Sequence, residues 1–172
     1  MNKKKKIILI ALLVISLVLI IIGIIIGIMF YTPKEVLTVT EFKKVAKNNK
    51  LTVEEVEIKD QDGNSNKDVK TALNAESELG WKIEYYILTD QETAKKTYDA
   101  NKKIYSSYKN QLSEEKETSR KNYDVFTLKT QNSYMHVCRV ENTLLAINAD
   151  DENEKNIEKV IKKLFIWLIH KT

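Results

Sequence analysis

Residues 123–149 read YDVFTLKTQNSYMHVCRVENTLLAINA. Three β-rich runs, 123–130, 133–140 and 143–149, are separated by Gln131-Asn132 and Glu141-Asn142, two-residue breaks of the kind that close hairpins. The stretch predicts three consecutive antiparallel strands, a meander. Working outward, Asp150 or Asp151 caps a final helix whose core face is Ile157, Val160, Ile161, Leu164, Phe165 and Leu168. Upstream, residues 113–122 read as a charged loop. Before that loop, Ala94, Tyr98, Asn101, Tyr105, Tyr108 and Leu112 recur at spacings of three and four behind a capping Asp90, the signature of a long helix. Residues 81–87, WKIEYYI, alternate at period two and predict a strand.

Nearer the N-terminus the signals are shorter. Thr38 and Glu41 form a capping-box pattern ahead of Phe42, Val45 and Ala46, so a helix is expected over 39–48. Val53, Val56 and Ile58 suit a strand over 52–58. Val69, Ala72 and Leu73 read as a short helix ending near Gly80. Clustered strands with short turns, covered on one face by helices, make the expected domain α+β, two-layered and mainly antiparallel over residues 32–172.

The first residues change the setting. Residues 7–31, IILIALLVISLVLIIIGIIIGIMFY, carry no charge and follow Lys3, Lys4, Lys5 and Lys6. As a helix they would extend about 37 Å, enough for a hydrocarbon core of about 30 Å. The apolar run is longer than a signal peptide's, lacks a small-x-small cleavage site, and has no following cysteine. The expectation is a signal-anchor: a cytoplasmic basic tail at 1–6, a single-pass transmembrane helix at 7–31, and an extracytoplasmic domain beyond it at the cell membrane. The lipid bilayer is then a partner. Gly23 and Gly27, four residues apart, would let a second membrane helix or another copy approach closely.

Charge narrows the function. The chain has 28 Lys and Arg against 24 Asp and Glu; without the four tail lysines the balance is 24 to 24. A neutral domain has no electrostatic reason to collect nucleic acid. Its single cysteine, Cys138, forms no internal disulfide, and none is needed at this size.

Catalytic signatures are missing: the sequence has no Gly-x-Ser-x-Gly, His-Glu-x-x-His, Cys-x-x-Cys or phosphate loop. His136 and Cys138, two apart on one strand, share a face about 6.5–7 Å apart, too far for a nucleophile and base in contact. Asp60, Asp62 and Asn64 have the alternate spacing of calcium loops, but Ser65 stands where that loop needs glycine and Thr71 where it needs glutamate. The reading is a solvated turn, with no metal and no cofactor. At the C-terminus Ile166, Trp167 and Ile169 exceed one helix face and form a candidate interface.

The run WKIEYYILTDQETAKKTYDANKKIY (81–105), followed by a strand pair and VENTLLAINADDE (140–152), resembles small single-pass, membrane-anchored extracytoplasmic proteins of low-GC Gram-positive bacteria. The resemblance implies the layout and a bacterial envelope setting. It carries over no activity and no active residue. The function expected is non-catalytic binding or interaction at the cell surface. The alternative is an envelope enzyme working through carboxylates such as Glu84 and Asp124.

Overall fold

A computed structural model describes residues 14–24, 27 and 33–166, apart from the side chains of 165 and 166. The chain divides into two compact units, Met1–Pro33 and Lys34–Thr172.

In the first unit, residues 14–24 are helical, about 16 Å of helix. Among the described residues no helix is long and apolar enough to cross a membrane. The transmembrane helix expected over 7–31 is therefore corrected, and with it the single-pass topology and the extracytoplasmic placement. Lys3, Lys4, Lys5 and Lys6 lie outside the described residues.

The second unit begins its regular structure with helix α1, Val39–Asn48. Its N-terminus is closed by the reciprocal Thr38–Glu41 capping box. Its C-terminus closes in a Schellman motif. The Leu51 N–H donates to the Ala46 carbonyl and the Lys50 N–H to the Lys47 carbonyl, both at 3.0 Å, with Lys50 at φ 60°. The strands are β1 Thr52–Glu55, β2 Val69–Glu76, β3 Lys82–Leu88, β4 Glu114–Ser119, β5 Tyr123–Lys129, β6 Ser133–Val140 and β7 Thr143–Asp150. Helix α2, Gln91–Ser106, carries the chain from β3 to β4, and α3, Glu154–Ile166, ends it. Every pairing is antiparallel, in the order β1-β2-β3-β7-β6-β5-β4. Two meanders thus meet at the β3–β7 ladder, and α2 makes the crossover between them.

The sheet is covered on both faces, so the layers number three rather than the two expected. Successive side chains of a strand point to opposite faces. Tyr85, Cys138, Val140, Leu145 and Ile147 pack with Phe42, Val45 and Ala46 of α1 and Ile157, Val160 and Leu164 of α3. Their alternates Leu88, Phe126, Leu128, Met135, Val137, Leu144 and Ala146 pack with Ala94, Tyr98 and Tyr105 of α2. This explains why β6 is buried from Tyr134 to Val140 at both parities. A strand buried on both sides reads as a continuous apolar run, which 134–140 is apart from His136 and Arg139.

Two further expectations fail locally. Residues 69–76 are strand β2 rather than helix: β1 and β3 pair with them on either side. Residues 114–119 are the edge strand β4, not a loop. It is clamped by Lys102–Glu117 at 2.5 Å and Lys109–Glu115 at 2.7 Å. Helix α2 also stops at Ser106, so Tyr108 and Leu112 lie beyond it, 57% and 68% exposed.

Candidate functional site

Three separated pieces of chain converge at one end of the α1–α3 layer. Asn49, Lys50 and Leu51 leave α1, Ser77, Glu78, Leu79 and Trp81 form the β2–β3 turn, and Asn156, Lys159 and Val160 belong to the first turns of α3. Together they line a cleft of about 230 Å³. The turn is closed by two hydrogen bonds, the Ser77 N–H to the Trp81 carbonyl at 2.9 Å and the Gly80 N–H to the Ser77 carbonyl at 3.0 Å. Gly80 adopts φ 83°, a conformation that suits a residue without Cβ.

The polar groups around the cleft fall into two sets. Asn49 is engaged, its amide donating to the Val45 carbonyl at 2.7 Å and its oxygen accepting from Lys163 at 2.7 Å. Ser77 Oγ accepts from the Leu79 N–H at 3.2 Å. Among the described residues the side chains of Lys50, Lys159, Asn156 and Glu78 make no hydrogen bond or ion pair. The Trp81 indole N–H, on a residue only 6% exposed, has no acceptor within the described structure. Beneath these groups, Leu51, Leu79, Val160 and the Trp81 ring supply apolar surface. The lining thus combines four apolar residues with six polar ones.

The other polar clusters engage each other. Asp124 is 2% exposed and Arg139 6%. Arg139 Nε donates to Asp124 Oδ2 at 2.8 Å and its Nη1 to the Glu141 carbonyl at 3.0 Å, while Ser119 Oγ donates to Asp124 Oδ1. Glu84, the second carboxylate of the enzyme alternative, sits on β3 and is bound by Lys82 at 2.7 Å and by the Tyr86 hydroxyl at 2.9 Å. Three strand spacings, about 14 Å, separate β3 from β5. The structure does not bring these two carboxylates together.

His136 and Cys138 face the α1–α3 side and are buried. Burial lowers the His136 pKa to about 4 and raises that of the Cys138 thiol to about 12, the thiol being partly offset by the nearby Lys34 charge. Thr127 Oγ1 lies 2.9 Å from His136 Nδ1. Cys138 borders an apolar cavity of about 20 Å³, near the size of one water. A protonated thiol beside an uncharged imidazole in dry surroundings is core chemistry, not nucleophilic chemistry.

The remaining sequence candidates either do not line the cleft or lie outside the described residues. Asp60 Oδ1 accepts the N–H groups of Asp62 at 3.0 Å and Asn64 at 2.9 Å, so the calcium-like spacing closes an Asx turn on itself. Tyr85 is buried, stacked on Phe42 at 4.8 Å with its hydroxyl donating to the Leu37 carbonyl; Tyr86 is half-buried on the opposite face. A Cβ added at Gly23 or Gly27 would meet nothing within 4 Å among the described residues. The side chain of Ile166 and all of Trp167 and Ile169 lie outside the described residues. Sequence reasoning missed the cleft altogether. Its one local signal was Trp81, a large indole at a strand entry beside a glycine turn.

No protein-family model matches the chain, and no curated protein matches it. Among solved structures, a GTP binding regulator from Thermotoga maritima is similar over 77% of this chain and 91% of its own, with 17% identity and a TM-score of 0.43. Likeness at that level carries no functional argument.

Proposed function

We propose that the domain is a non-catalytic binding module and that its ligand seat is the Trp81 cleft. The observation that carries this reading is the set of unengaged side chains, Lys50, Lys159 and Asn156, gathered around the apolar surface of Leu51, Leu79, Trp81 and Val160 in a space of about 230 Å³. His136 and Cys138, the histidine and thiol that could serve as base and nucleophile, support the same reading because they are sealed in the core and do not line the cleft.

The test is amide shift mapping of the full chain against a library of small polar compounds. Binders are expected to move the signals of Leu51, Gly80, Val160 and the Trp81 indole N–H. Shifts that cluster instead around Tyr86 and Tyr105, or a library without a single binder, would overturn the proposal.

A further inference from the structure

We infer that the ligand of the Trp81 cleft is a small amphipathic anion, a carboxylate or phosphate head on a short apolar body. This rests on the binding reading above and adds the ligand's charge. The argument begins with donors and acceptors. Lys50 and Lys159 can only donate, and each lacks a partner among the described residues. Against them stands one carboxylate, Glu78. The cleft therefore has an excess of one positive charge and a surplus of donors, and an acceptor-rich anion balances both.

Lys50 adds an independent observation. It occupies the left-handed position of the Schellman motif at φ 60°, where glycine is the usual residue because a Cβ is disfavoured there. The fold keeps a lysine at a strained position, and that position lies on the cleft's rim. Strain of this kind points to a side chain retained for what it contacts. On the same helix Lys162 reaches Glu158 at 3.3 Å and Lys163 reaches Asn49, whereas Lys155 and Lys159 are exposed and unpaired among the described residues, and of these two only Lys159 lines the cleft. Leu51, Leu79 and Val160 then face the ligand's apolar portion.

The experiment uses the full chain with Trp167→Phe, which leaves Trp81 the sole tryptophan of the two in the sequence. Its emission is titrated with hexanoate, hexyl phosphate, 1-hexanol and hexylammonium at fixed ionic strength. Both anions should give saturable shifts, with 1-hexanol and hexylammonium weaker by about tenfold or more, equivalent to about 1.4 kcal/mol. A tighter hexanoate assigns the carboxylate, a tighter hexyl phosphate the phosphate. Lys50→Gly, which removes the ammonium and relaxes the backbone together, and Lys159→Gln should each weaken anion binding by roughly three- to tenfold. If 1-hexanol binds as tightly as hexanoate, or hexylammonium binds best, the charge inference falls while the binding reading stands. Silence from all four probes, with library binders still shifting the cleft amides, has the same meaning. Silence in both experiments overturns the two together.

Discussion

The domain holds two polar clusters on opposite sides of its sheet, and they are built on opposite plans. Around Asp124 and Arg139 the charged groups are almost wholly buried and each is engaged: guanidinium to carboxylate, guanidinium to the Glu141 carbonyl, Ser119 hydroxyl to carboxylate. Around Trp81 the side chains of Lys50, Lys159, Asn156 and Glu78 line open space and are unengaged among the described residues. The first arrangement ties β5 to β6 under α2. Arg139 and Asp124 are register partners across that ladder, so the ion pair also fixes the strand alignment. In the second arrangement Lys50, Lys159, Asn156 and Glu78 make no hydrogen bond or ion pair among the described residues, and the unsatisfied indole N–H is a cost. The difference is one of satisfaction: the first cluster is satisfied within the chain, and the second leaves side chains open for the proposed ligand.

The comparison can be broken most forcefully at the lock. Asp124→Ala leaves Arg139 buried without its carboxylate and should destabilise the domain by about 3–5 kcal/mol in urea denaturation. A loss below about 1 kcal/mol would show that the pair is not a lock. Next in size is a pH effect from His136. Its folded pKa of about 4 lies below its ordinary 6.5, so between those values the unfolded chain binds a proton that the native state refuses. Stability should therefore fall as pH drops from 6.5 towards 4, by about 3 kcal/mol in all, with no contribution above 6.5. His136→Gln should flatten that limb relative to the parent chain; an unchanged slope would place the titration elsewhere.

At the cleft the expected stability effects are small, and one has the opposite sign. Lys50→Gly relieves the left-handed backbone strain and should raise stability by about 0.5–1 kcal/mol, even though it removes a lysine from the site. A substitution that strengthens the fold while weakening ligand binding has no counterpart in the Asp124 cluster. Lys159→Gln should leave the urea midpoint unchanged within about 0.5 kcal/mol, as for an exposed residue without partners. A larger loss would make Lys159 structural and erase the contrast.

The parts of the fold legible in sequence are those with local causes. The capping box of Thr38 and Glu41 and the N-cap of Asp90, whose carboxylate accepts the Thr93 N–H at 2.7 Å, announce α1 and α2. Alternation and two-residue breaks announce β5, β6 and β7. What misled was pattern without tertiary context. Val69, Ala72 and Leu73 have helical spacing, and alanine and asparagine are poor strand formers, yet pairing on both sides makes them β2. The charges of Glu114, Glu115, Lys116 and Glu117 look like a loop, although charge is also how an edge strand avoids further pairing. The third layer was implied by Met135, Val137, Leu144 and Ala146, whose apolar side chains occupy the parity that a two-layer domain would leave to water. The apolar run at 7–31 met the length rule for a membrane span, yet among the described residues no helix is long and apolar enough to cross a membrane. The cleft had no sequence signature because residues 49–51, 77–81 and 156–160 meet only after the chain has folded.

The most direct test fills the cleft without touching the core. Asn156 is exposed, lines the space and has no side-chain partner among the described residues, so Asn156→Trp places a large ring where a ligand would sit. Binding of the library compounds and urea stability are then measured on the same variant. The prediction is lost binding, by more than about tenfold, with stability unchanged within about 0.5 kcal/mol. Binding that survives the filled cleft would contradict the assignment of this site.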